Sequence, residues 1–421
     1  MKKSIRAAFV AGLFSTTAAV FAVSPTPVLA QAAAAAALPK PTPAINNKLV
    51  EASKQANAGK YPEAMAAVKE AQALPNPNET DKYQINKILG YVAVQQQDYD
   101  TAEIAYDTMA RSSAIPPTEK QNVLDAAASM ALNSKHYDKV LEYVGMAESS
   151  AIKDDKLYRA ASQAAYLKND WTNAESLAQK SLAITDPKGE VPDKTLLEVL
   201  VGAQLNLKKD AAAQTTMERI AFSFGAKEDW GVAISGAIAT PGAVTPHDQD
   251  LAVVYLGRLM YVAGTTQQQD YKLFGDSANR LFFYGDTLQA MDQGASGFPA
   301  NLRAKATADK ASLAKADGDA AKAKDGNSYI GNAEAYYGYG DFAKAEEDAR
   351  AGIAKGGLKD AVEANMVLGQ ALVQEGHYAD AIPIFTAINS NPAMNKAAHL
   401  WSNYAQQKLK QVSAPAAAAA K

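Results

Sequence analysis

The sequence contains no cysteine, few histidines, and little large aromatic material: four His, three Trp and 8% Phe, Trp and Tyr together in 421 residues. The missing thiols exclude a disulfide scaffold, a thiolate zinc site, a cysteine nucleophile and a lipid anchor on an N-terminal cysteine. Excess charge is missing too. The formal net charge is −3, too even a balance for a broad nucleic-acid footprint. Long apolar runs are confined to the N-terminus, so no later stretch reaches the ~20 residues that span a bilayer. What the chain has instead is alanine, spread through segments with apolar residues at helical spacing.

Residues 1–30 read as a secretory leader. Lys2, Lys3 and Arg6 precede an apolar run from Ala7 to Val23, followed by Pro25, Pro27 and Val28-Leu29-Ala30. Cleavage is expected after Ala30. Removing a leader with three cations and no acid takes the net charge from −3 to −6. Residues 31–44, with Pro39, Pro41 and Pro43 at alternate positions, read as an extended linker, and 412–421 as an alanine-rich tail.

Between these ends one phrase recurs: a short turn, an aromatic, and a small residue three positions later. It appears as Gly59-Lys60-Tyr61 with Ala64, Gln97-Asp98-Tyr99 with Ala102, and Lys135-His136-Tyr137 with Val140. It returns as Asn169-Asp170-Trp171 with Ala174, Gly340-Asp341-Phe342 with Ala345, and Gly376-His377-Tyr378 with Ala381. The aromatics are 38, 38 and 34 residues apart in the first half and 36 apart in the last pair. The turn ends one helix and the aromatic opens the next, while the small residue lets the two backbones approach. One such hairpin cannot bury its apolar face alone, so neighbours must stack.

These residues resemble the tetratricopeptide repeat family. Leu368-Gly369, Leu372, Gly376, Tyr378, Ala381, Phe385 and Pro392 match its pattern best, and Leu89-Gly90, Tyr99, Ala102 and Tyr106 match it well. Tyr158, Trp171, Ala174 and Pro187 match in part, as do Tyr336, Phe342 and Ala345. The resemblance implies an all-α, tetratricopeptide-repeat-like α-solenoid of about nine helical hairpins with a C-terminal capping helix. As a whole the chain also resembles exported tetratricopeptide-repeat proteins of Gram-negative bacteria, which implies the periplasm.

The expected layout is repeats over 45–222, divergent helical repeats over 223–327, and further repeats with a cap over 328–411. In the divergent part, Asp229–Ala239 and Asp248–Gly264 read as a hairpin. Gly285-Asp286 reads as a turn, with Thr287 replacing the aromatic and Ala290 in the small slot. Asn301–Lys324 reads as an exposed helix with a weak spot at Gly318. Met394–Gln411, carrying Leu400, Trp401 and Tyr404, reads as the cap.

No catalytic, cofactor or metal set emerges. His136 and His377 occupy the turn slot, and Asp248 after Pro246 reads as a helix cap rather than a ligand beside His247. Gly275-Asp276-Ser277-Ala278-Asn279 lacks the last glycine of a nucleophile elbow. Ser312-Leu313-Ala314-Lys315 lacks the partner motifs of Ser-x-x-Lys enzymes. No phosphate loop or dinucleotide fingerprint is present.

The function expected is therefore non-enzymatic: an envelope module or scaffold that binds an unidentified protein or peptide in its concave groove. The alternative is a structural subunit acting through its convex face or central helix. The family's geometry places the first helix of each pair on the concave side, which implies Lys87, Tyr91, Arg159, Gln163, Tyr166, Tyr337 and Gln370 as partner-binding residues. Gln84, Asp125, Ser129, Lys156, Glu334, Glu363 and Met366 fall on the same faces. The carboxylate clamp of chaperone-binding relatives is absent, since its slots hold Leu49 and Ser53, Lys87 and Tyr91, Asp125 and Ser129.

Overall fold

In the computed structural model the described residues are 41–413, so the expected leader, most of the linker and nearly all of the tail lie outside them. They form twenty α-helices and one short 3-10 turn, with no strand among them. The architecture is all-α and tetratricopeptide-repeat-like. The chain divides into two compact units between Lys209 and Asp210, a boundary inside the expected 45–222 block.

The first unit holds α1 (Pro43–Asn57), α2 (Tyr61–Gln72), α3 (Glu79–Gln95), α4 (Tyr99–Arg111), α5 (Pro117–Asn133), α6 (Tyr137–Ser149), α7 (Asp155–Leu167), α8 (Trp171–Thr185) and α9 (Lys194–Asn206). Each recurring phrase makes the same turn. The residue two before the aromatic has a left-handed φ: Gly59 at 72°, then Gln97, Lys135 and Asn169 at 61°. The next amide reaches back five residues, as from Lys60 N to Gln55 O and from His136 N to Ala131 O at 2.9 and 2.7 Å. This is the Schellman closure of a helix C-terminus. The small slots Ala64, Ala102, Val140 and Ala174 are all fully buried. Gly90 meets the Tyr106 ring, where an added Cβ would lie 3.1 Å from a ring carbon.

The second unit holds α10 (Asp210–Phe224), α11 (Lys227–Ala239), α12 (Pro246–Val262), α13 (Asp270–Arg280), α14 (Tyr284–Asp292), α15 (Leu302–Lys322), α16 (Asn327–Gly338), α17 (Phe342–Lys355), α18 (Ala361–Gln374), α19 (Tyr378–Thr386) and α20 (Pro392–Ser413). Four expectations change here. The turn before α14 falls at Phe282 (φ 61°), with Phe283 N bonded to Ala278 O at 2.9 Å. Tyr284 thus fills the aromatic slot, and the small slot holds the fully buried Thr287. Phe282 stands where the other turns carry Gly or a polar residue, which hides the phrase. Helix α15 runs unbroken through Gly318 and docks by Leu302, Ala306, Leu313 and Ala320. The cap of α12 is Thr245, whose hydroxyl accepts from Asp248 N at 3.1 Å, not Asp248 itself.

The fourth change is the largest. Every residue of α12 from Leu251 to Met260 is buried, all around the helix. A helix buried on all sides is a core element as well as one arm of the expected hairpin. Helices α11, α13 and α20 pack on it, and Arg258 reaches from it to Asp286 of α14, Glu334 of α16 and Gln370 of α18. The C-terminal helix covers α19, as a cap should, and also spans back to α10, α11, α12 and α18. Trp401 Nε1 donates to Tyr255 O at 2.9 Å, Tyr404 donates to Val262 O at 3.1 Å, and Trp230 Nε1 donates to Gln407 Oε1 at 3.0 Å.

Candidate functional site

The repeats supply two rows of polar groups, and in the first unit both rows are used to tie neighbours together. On the first-helix row, Lys87 of α3 pairs with Glu119 at the start of α5 at 2.8 Å, and Tyr83 donates to the same carboxylate at 2.7 Å. Gln121 of α5 donates to Asp154, which caps α7 by accepting from Lys156 N and Leu157 N. Arg159 of α7 pairs with Asp193, the cap of α9, at 2.8 Å. On the second-helix row, Glu103 of α4 is buried and receives His136 Nδ1 and Lys139 Nζ, each at 2.7 Å. Glu175 receives Lys209 at 2.5 Å. In the second unit Glu346 faces His377 at 3.6 Å. The turn histidines are thus couplers between repeats. The signal was in the sequence: a Glu four residues after one aromatic, and a base just before the next.

The seven expected partner-binding residues meet different fates. Lys87, Tyr91, Arg159 and Gln163 are half-buried on α3 and α7. Lys87 and Arg159 are held in the ion pairs just described. Tyr166 is 6% exposed and packs edge-on against Trp171, with ring centroids 5.0 Å apart. Its ring also fills the space over Gly202. Tyr337 and Gln370 belong to a different setting. They are 5% and 0% exposed, inside the second unit. The expectation that they line an open groove is corrected, because α12 of the same chain occupies that face.

Arg258 is the centre of this filled face. Its guanidinium bonds Asp286 through Nε and Nη2 at 2.9 and 2.7 Å, Glu334 at 2.7 Å and Gln370 Oε1 at 3.0 Å. It lies 4.2 Å from the Tyr337 ring centroid. Tyr255 donates to the other Glu334 oxygen at 2.8 Å. Burial works against the charge, but Asp286 and Glu334 more than offset it and hold the Arg258 pKa well above the usual guanidinium range. Nearby, burial and the charge of Glu334 push the Glu363 carboxyl up to about 8. Sequence reasoning passed over Arg258, although it is the one charge in the run Leu251–Met260. A cation within an apolar helix implies a buried counter-charge.

In the first unit, one inward-facing acid is paired with another acid instead. No donor reaches Asp125 Oδ1, although that oxygen is buried. Burial first, then the charge of the neighbouring Asp154 and a side-chain hydrogen bond with it, push the Asp125 carboxyl up to about 8, with Lys156 acting the other way. Among the described residues, no group of three or more His, Asp or Glu side chains is arranged to hold a metal ion, and no helix is long and apolar enough to cross a membrane.

No family model and no curated protein matches the chain. Among solved structures, it is similar to a tetratricopeptide repeat protein from Parabacteroides merdae at 12% identity and a TM-score of 0.29, covering 78% of this chain and 98% of that one. The TPR domain of P58(IPK) aligns at 14% identity and a TM-score of 0.25, over 88% of this chain and 100% of that one. The TPR2AB domain of yeast Sti1 in its pHSP90 complex aligns at 14% identity and a TM-score of 0.20, over 88% of this chain and 96% of that one. The tetratricopeptide-like architecture rests on this chain's own turns, buried small slots and hairpin packing.

Proposed function

We propose that this protein is a non-enzymatic protein-binding module of the bacterial envelope, and that it holds a partner segment on the first-helix face of its first unit. The observation that carries this reading is the contrast between the units. The same face of the second unit is filled by α12, leaving Tyr337 and Gln370 buried. In the first unit Tyr91, Asp125, Ser129 and Gln163 remain half-buried along α3, α5 and α7. Half-exposed aromatic and polar side chains on a rigid helix face suit recognition of a protein segment. The leader-like residues 1–30 support export, and with it the periplasm of a Gram-negative bacterium.

Site-specific photocrosslinking in cells tests this. A crosslinker at Ser129 or Gln163 should capture a discrete protein in the envelope fraction. One at Ile104, exposed on α4, should not. Equal capture from all three positions, or capture from Ile104 alone, would move the function to the convex face.

A further inference from the structure

The second unit shows what chemistry this repeat face can hold. Number each repeat backward from its aromatic. Glu334 and Gln370 both stand eight residues before theirs, Phe342 and Tyr378, and both bond Arg258. Tyr337 stands five before Phe342 and provides the ring under the guanidinium. In the first unit the same eight-before slots hold Tyr91, Ser129 and Gln163, and the five-before slot of the fourth repeat holds Tyr166. Tyr166 and Tyr337 even pack alike, edge-on to the aromatic of their own repeat at 5.0 and 5.1 Å between centroids. One turn before Ser129 stands Asp125, whose buried Oδ1 lacks a donor. Helices α5 and α7 are direct neighbours. Gln163 and Tyr166 therefore repeat the amide and the ring of the second unit, and Asp125 and Ser129 set an acid and a hydroxyl on the same face.

We propose that the first unit's face binds a helical segment carrying an arginine, set between Asp125, Ser129 and Gln163 as Arg258 of α12 is set in the second unit. This rests on the groove reading above and names the chemistry of its partner. Arginine suits the site because its planar fork satisfies several acceptors at once and stacks on a ring. The other groups facing Asp125 are Asp154, Asp155 and Lys156 from the start of α7. Asp154 is already engaged by Gln121 and two backbone amides. Asp125 itself hydrogen-bonds Asp154 in the free chain, so the partner's cation takes the place of the proton that these two acids share.

The test uses the full chain and a synthetic peptide copying Pro246–Val262, with a second peptide in which its arginine is replaced by glutamine. Fluorescence anisotropy should show the arginine peptide binding at least tenfold tighter. That preference should disappear in the Asp125→Asn variant, which keeps the side-chain shape, and in Ser129→Lys. Because Asp125 must ionise to take the cation, its advantage should also grow from pH 7 to 9 and stay flat in Asp125→Asn. Equal affinity for the two peptides, no binding of either, or an arginine preference that survives Asp125→Asn would overturn the proposal. If Gln163 still crosslinks a native partner after such a result, the groove reading stands and only the arginine specificity falls.

Discussion

At the scale of single residues, a few positions decide how closely helices can approach. Gly369 on α18 faces Phe385 on α19, and an added Cβ would lie 2.6 Å from two ring carbons. Gly145 on α6 has nothing within 4 Å of the same hypothetical atom. Alanine gains ~1 kcal/mol over glycine in a helix interior, whereas overpacking a filled core costs about 1–3 kcal/mol. Gly369→Ala should therefore lower the urea midpoint and Gly145→Ala should leave it unchanged or raise it. A Gly369→Ala variant as stable as the parent would show that the Phe385 ring moves aside at little cost. Such positions were legible in the sequence, because a glycine sixteen residues before an aromatic repeats at Gly90–Tyr106 and Gly369–Phe385. The polar slots were less legible. Whether Lys87 faces a partner or Glu119 depends on where the next helix starts, and the periodic pattern does not give that distance.

At the scale of elements, the turns are the most readable feature and α20 the least. Six turns follow from the phrase alone, but Leu281-Phe282-Phe283-Tyr284 disguises another by placing an aromatic in the left-handed slot. Phe282 is 70% exposed there, so its ring gains little packing in return for the strained backbone. Helix α20 has the apolar pattern expected of a cap, but its polar anchors come from far away in sequence. His399 bonds Glu218 of α10 through Nδ1 at 2.7 Å, and Lys396 reaches Thr240 beyond α11. The Glu218 hydrogen bond raises the His399 pKa above its ordinary 6.5, with burial opposing it. The folded chain therefore holds this proton more tightly than the unfolded one. The stability it contributes is complete below pH 6.5 and is lost as pH rises through the raised value. Denaturation midpoints of the parent and His399→Asn should differ at pH 5.5 and converge by pH 9, with Asn403 and Lys396 as the other polar groups beside the ring or on the same helix. A difference independent of pH would mean that His399 acts by packing.

At the scale of the whole molecule, one repeat pattern has been used in two ways. In both units, small slots and Schellman turns stack hairpins. In the second, the chain supplies its own occupant for the face that the first leaves half-exposed. This division could not be read from the repeats, because Glu334, Tyr337 and Gln370 look equally inward-facing whether the groove is open or filled. Only the uninterrupted apolar run Leu251–Met260 with its single arginine pointed to a buried helix. The filling is held by a desolvated charge set. Removing one partner of such a set costs about 3–5 kcal/mol, so the account hangs on α12 being a permanent part of the fold. Hydrogen–deuterium exchange on the full chain measures this directly. The amides of Leu251–Met260 should be among the slowest in the chain, exchanging only when the second unit unfolds, while those of the exposed face of α15 exchange sooner. Exchange of α12 as fast as that of α15 would contradict this, because it would mean that α12 leaves its face as readily as an exposed helix frays.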